Sequence, residues 1–122
     1  MSGMSFGGGG GLTQAQADAR YLALAGGTIT GGSLDIATAG QGIKIATGAN
    51  AKLGTATLAA GTVTVANTSV TANSKIFISD ISGGANVGFL DIGVITAGVS
   101  FVVNSSNALD TSSFNYLIVE PG

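Results

Sequence analysis

A chain of 122 residues with a net charge of −2, no histidine and no cysteine has few chemistries open to it. Imidazole acid–base work, Ser-His-Asp triads and imidazole metal sites are excluded with histidine, and disulfides, thiolate metal sites and thiol nucleophiles with cysteine. Charged residues make up 8% of the chain, against about 25% in ordinary soluble domains, so a lone monomer would show water an unusually uncharged surface and obligate oligomerisation is expected.

Residues 1–11, MSGMSFGGGGG, form a glycine-rich arm whose composition predicts disorder unless a partner holds it. Phe6 is its only sizeable apolar side chain apart from the methionines. The arm lacks the basic stretch and apolar core of a signal peptide, and none is expected here. Next, Leu12, Ala15, Ala19 and Leu22 are spaced three, four and three apart, the seam of a coiled coil. Thr13 followed by Gln16 fits a capping box at the start of this helix. Gly26-Gly27 ends it, because glycine reaches the left-handed conformation without a Cβ clash. A helix of roughly ten residues with a two-alanine seam is too short to persist alone in water. The seam therefore predicts association with identical copies, with Leu12, Ala15, Ala19 and Leu22 at a trimer interface.

The same stretch carries a resemblance. Ala17-Asp18-Ala19-Arg20-Tyr21-Leu22, then Leu24, then Gly26-Gly27-Thr28-Ile29-Thr30-Gly31, resembles a short repeat of tail-fibre proteins from tailed bacteriophages. In that family a helical "ARYL" turn runs into "GGT", an apolar residue and "TG". The resemblance implies an elongated homotrimeric virion fibre. The glycine-rich arm itself has two readings: packing within the trimer, or threading into a partner protein with Phe6 as the anchor.

From Thr28 the period changes to two, and residues 28–61 are expected to form a slender β stalk. Leu34-Asp35-Ile36-Ala37-Thr38 and Ile43-Lys44-Ile45-Ala46-Thr47 form a weak repeat nine residues apart, linked by the turn chemistry of Ala39-Gly40-Gln41-Gly42. Asp35 and Lys44 hold equivalent places, which allows a cross-strand ion pair. Thr55 to Leu58 and Thr62 to Val65 read as further short strands around a turn at Ala60-Gly61.

Residues 62–122 hold the richer core and are expected to form a sandwich-like β head. Lys75–Ile81, Val87–Ile95, Val99–Val103 and Phe114–Val119 read as strands, separated by loop-forming sequence. Phe77, Phe89, Phe101 and Phe114 are assigned to core packing. The C-terminal half also resembles a module at the ends of phage and prophage structural proteins. Gly61–Thr71, Ala72-Asn73-Ser74-Lys75-Ile76-Phe77, Ala97-Gly98-Val99-Ser100-Phe101 and Asn115-Tyr116-Leu117-Ile118-Val119-Glu120 carry that resemblance, which implies a compact β domain exposed on the virion.

The overall class is thus mainly β: arm at 1–11, helix and turn at 12–27, stalk at 28–61 and head at 62–122, in a homotrimer. Arg20, Lys44, Lys52 and Lys75 are dispersed and build no basic stripe, so no nucleic-acid partner is expected. The most apolar run, residues 89–103, is interrupted by Asp91, Gly93 and Gly98 and is shorter than the ~20 residues of a spanning helix. No metal or cofactor is expected, since the carboxylates do not cluster and the glycine-rich arm lacks the Lys-Ser/Thr of a phosphate loop. Asp80 and Asp91, placed across one hairpin, are the only plausible carboxylate pair, and an enzyme is not expected.

Two functional readings follow. One is a trimeric fibre whose head touches a host surface glycan or protein. The other is a cement or adaptor that locks capsid or tail subunits through its arm. For host contact the candidates are Asn104, Asn107 and Asp110, in a loop rich in Asn, Ser and Thr that suits weak multivalent glycan binding. Those residue types also serve simply to make turns, and Asp110-Thr111-Ser112 has the pattern of an Asx turn.

Overall fold

The computed structural model describes residues 11–13, 15–16 and 26–122. The chain divides into two units, Met1–Gly42 and Ile43–Gly122. Among the described residues no helix is long and apolar enough to cross a membrane.

In the first unit the capping box is formed. The Thr13 amide donates to Gln16 Oε1 at 2.9 Å, and the Gln16 amide donates to Thr13 Oγ1 at 3.2 Å, satisfying two amides a helix start leaves over. Ala15 and Gln16 have helical backbone. Ala19, Leu22 and the rest of the expected helix lie outside the described residues, as does Phe6. Gly26 has φ +102°, a conformation open to glycine. The predicted link at residues 39–42 is a turn, with Gln41 N–H donating to Thr38 O at 3.1 Å and Gly40 at φ +82°, the third-position geometry of a type II turn.

Within the single chain, residues 28–46 do not form the expected β stalk. Residues 26–46 contain no strand, and Ile29, Leu34, Ile36, Ile43 and Ile45 are all exposed. The one ladder contact near them is a parallel bridge from Thr47 to Leu53. Period-two patterning sorts side chains onto two faces, but a strand also needs a neighbour for its amides and carbonyls. Within one chain these residues find none. Among the described residues the salt bridge is Lys52–Glu120.

The second unit holds six strands: β1 (Leu53–Thr57), β2 (Thr62–Ala66), β3 (Lys75–Ser82), β4 (Leu90–Thr96), β5 (Ser100–Ser105) and β6 (Ser113–Val119). They make two antiparallel sheets, ordered β1-β6-β3 and β2-β5-β4. Only β4 and β5 form a hairpin within one sheet; every other connection passes from sheet to sheet. Residues 53–57, assigned above to the stalk, are an edge strand paired with β6, so this fold begins upstream of residue 62.

The first crossing is made by a tight turn. Ala59 and Thr62 exchange backbone hydrogen bonds around Ala60 (φ +54°) and Gly61 (φ +78°), the double positive φ of a type I′ turn. Leu58, just before it, is almost fully buried. A Cβ on Gly61 would meet the backbone carbonyl oxygen of Asn107 at 2.5 Å, which binds this turn to the loop after β5.

The core lies between the two inner faces. Val65, Phe101 and Val103 come from one sheet and Phe114, Tyr116 and Ile118 from the other, with Leu58 and Val70 from the connections. The Phe101 and Tyr116 rings meet edge to face, centroids 5.2 Å apart at 74°, a geometry worth about 0.5–1.5 kcal/mol beyond the area buried. Phe101 and Phe114 are core residues, as expected. Phe77 and Phe89 are not, at 61% and 88% exposure. Phe77 is on the wrong parity, since its neighbours Ile76 and Ile78 are the β3 residues that pack against the core. Phe89 precedes β4 and stands outside the sheet.

Candidate ligand-contact surface

The loop after β5 is organised around a buried carboxylate. Asp110 is 1% exposed. Its Oδ2 accepts the Ser105 hydroxyl at 2.7 Å and the Gly88 amide at 2.9 Å, and its Oδ1 accepts the Ser112 amide at 2.8 Å. These donors, the Ser105 hydroxyl foremost and then the Gly88 amide, hold the carboxyl well below the usual carboxylate range. The Asp110 carbonyl also accepts the Gly61 amide at 2.9 Å. The Asx turn expected at Asp110-Thr111-Ser112 is therefore present. Asp110 as a host-contact residue is corrected, because its polar atoms face three segments of its own chain.

The other two candidates part company. Asn107 is half-buried and its Oδ1 accepts the Leu109 amide at 2.9 Å, so it too shapes the loop. Asn104 is on β5, on the outer face of its sheet, where Oδ1 accepts the Thr62 hydroxyl at 3.0 Å. The structure does not bring Asn104, Asn107 and Asp110 into one contact patch. Instead the loop presents Leu109 and the neighbouring Phe89, both largely exposed. Phe89 is tied there by Ser106, whose hydroxyl accepts its amide and whose amide donates to its carbonyl, each at 2.9 Å. Leu12 and Ala15 of the proposed seam are exposed within the chain.

A second polar knot joins both ends of the sandwich sequence. Glu120 Oε1 accepts Lys52 Nζ at 2.6 Å and the Ser74 hydroxyl at 2.5 Å, and Oε2 accepts the Thr71 hydroxyl at 2.7 Å. Lys52 foremost, then the two hydroxyls, lowers this carboxyl to about 2. Beside it Asn67, 1% exposed, donates to Ala51 O at 2.7 Å and accepts the Ser69 amide and hydroxyl. Sequence reading missed this knot, since no spacing rule links residues 50–52 to 67–74 and 120. The charge complement of Lys52 and Glu120 flanking β1 and β6 was the available signal.

The outer face of the β1-β6-β3 sheet is built in rungs by the strand register. Leu53, Leu117 and Phe77 align in one rung and Thr55, Asn115 and Ser79 in the next. The Thr55 hydroxyl donates to Asn115 Oδ1 at 2.8 Å. A shallow hollow of about 150 Å³ opens on this face, lined by Leu53, Phe77, Ile78, Ser79, Asn115, Tyr116 and Leu117. Asp80 and Asp91 lie in different sheets, on β3 and β4, so the hairpin that would have paired them does not form.

These features define an all-β module of two three-stranded antiparallel sheets that is poor in charge. Residues 50–119 match the model of the family described as K1 capsule-specific polysaccharide lyase, C-terminal domain. The match covers more than half of the chain and coincides with the six strands, and the chain belongs to this family. No match was found among curated proteins or among solved structures.

Proposed function

We propose that this protein is a fibre- or spike-type structural component of a bacteriophage virion, homotrimeric, attached by its N-terminal arm through Phe6 and carrying an outward head that meets a glycan on the host surface. The observation that carries this reading is the match of residues 50–119 to the C-terminal domain of a capsule-polysaccharide lyase, laid over the whole two-sheet fold. The tail-fibre-like stretch at residues 17–31 points the same way from an independent part of the sequence. Self-association is supported by the exposed apolar residues at 29–45, which a trimer would cover.

The head acts here as a binding and structural module and not as the lyase itself. Its chain has no histidine, and Asp110 and Glu120 are committed to internal hydrogen bonds. Catalysis by such a spike would belong to another part of the assembly.

Adsorption competition tests the reading. Purified full-length protein, incubated with host cells before phage is added, is expected to reduce adsorption, and to sediment as a trimer. A monomer at micromolar concentration removes the fibre reading. A trimer that leaves adsorption unchanged favours the cement or adaptor role in place of host contact.

A further inference from the structure

We propose that the outer face of the β1-β6-β3 sheet is an acidic-saccharide binding platform centred on Lys75, Phe77 and Ser79. This rests on the host-contact reading above and names its ligand class and its site. The three residues are successive outward positions of β3, an edge strand whose far side has no neighbouring strand among the described residues. At about 3.3 Å rise per residue they line up at intervals of roughly 7 Å, a row suited to a short oligosaccharide lying along the strand.

Each position supplies a different part of saccharide recognition. Phe77 is 61% exposed in mid-strand, in register with Leu117, whose side chain backs it from the central strand. The apolar face of a sugar ring carries C–H bonds polarised toward the negative π face of such an aromatic. One rung away, the Thr55 hydroxyl occupies Asn115 Oδ1 and leaves the amide donors of Asn115 without a partner among the described residues. The Ser79 hydroxyl, also in that rung, makes no hydrogen bond to a described residue. These donors and acceptors are spaced for ring hydroxyls.

Charge decides between neutral and acidic sugars. Of the outward residues of the three strands, Lys75 is the one that is ionisable, and among the described residues it has no ion-pair partner. Lys52 and Glu120 neutralise each other, and the exposed Asp80 follows Ser79 at the end of β3 away from Lys75. The end of the platform away from Asp80 therefore presents an uncompensated cation beside an aromatic ring, the complement of a carboxylated sugar such as a uronate. Repetition of the platform in an oligomer would let weak single contacts act together along a polymer.

The test titrates full-length protein with oligogalacturonate and with neutral dextran oligosaccharide, followed by amide NMR shifts. Binding of oligogalacturonate, with shifts on residues 75–79 and 113–117 and weakening at high salt, is expected, and dextran should bind much more weakly. Phe77→Ala should weaken binding about tenfold. Lys75→Gln should weaken it about fivefold and remove the salt dependence. Thr64→Ala, on the outer face of the other sheet, should leave it unchanged. The proposal is overturned if both β3 variants bind like the parent, if dextran binds equally, or if neither oligogalacturonate, alginate nor hyaluronate binds. It is also overturned if Phe77→Ala changes the sedimenting species, since the face would then be covered by another copy. The two variants also enter the adsorption competition. If they still block adsorption as the parent does, this site is wrong while the host-contact reading stands. If the parent itself fails to block, that reading falls.

Discussion

Residues 34–36 and 43–45 alternate apolar and polar side chains as residues 62–65 do, yet the first two stretches are exposed coil and the third lies in a strand of a closed core. Leu34, Ile36, Ile43 and Ile45 stand in water, whereas Val65 is buried and Val63 packs against the core. Patterning is equal in the two regions. What differs is company: β2 lies against β5 and faces a second sheet, and residues 34–45 have no ladder partner among the described residues. A β pattern is half of an instruction, and the other half is supplied by whatever strand lies alongside.

Truncation should break this comparison most severely. Removing residues 1–42 is expected to leave a domain with a cooperative urea transition, because all six strands remain. Starting the chain at residue 62 removes β1 and Lys52 together. That exposes one edge of β6 and breaks the knot at Glu120, so the cooperative transition is expected to vanish. Circular dichroism of the two truncated proteins checks both outcomes.

Point substitutions sharpen it. Phe101→Ala, in the shared core, should destabilise the domain by about 3–5 kcal/mol. Ile43→Ala removes an exposed side chain and should change the same transition by less than about 0.5 kcal/mol. Its effect is expected instead in the oligomeric state, measured by sedimentation. An Ile43→Ala loss as large as that of Phe101→Ala would mean that residues 34–45 are packed in the monomer.

Gly61→Ala should cost about 2–3 kcal/mol in chemical denaturation, since the new Cβ combines a positive φ with a close approach to the Asn107 carbonyl. A near-neutral result would show that the loop after β5 can move away from the turn.

Acid should affect the two polar knots more gently. Glu120 falls from 4.5 to about 2 on folding, and Asp110 falls from 3.8 to below the usual carboxylate range. Groups with depressed values stabilise the fold fully above their unfolded values, and that contribution is lost as pH drops through the folded ones. Stability should therefore be flat above about pH 5 and decline from there toward pH 2. Glu120→Gln should start lower at neutral pH and decline less, as read from denaturation midpoints at several pH values.

Much of the architecture could be read from the residues. The strands over 75–81 and 114–119 are present nearly as expected, and Thr13 with Gln16 does form its reciprocal pair. Ala60-Gly61 and Ala97-Gly98 are turns, and Gly98 has φ +71°. Phe77 shows where such reading stops. Placing an aromatic within a strand does not say which way it faces, and one residue of register decides between core and solvent. Asp110 shows the converse: a polar residue in a loop of Asn and Ser looked solvent-facing, but its carboxylate is what gives the loop its shape.

By itself the sequence determined the chemistry that is absent, the mainly β character, the turn positions and the apolar content of the last sixty residues, because these depend on residue type and short-range spacing. The tertiary structure alone decided that β1 belongs with β6, that β3 and β4 lie in different sheets, and that Lys75, Phe77 and Asn115 share an uncluttered face. Those facts depend on pairing between residues far apart in the chain, and local propensity is the same whichever partner is chosen.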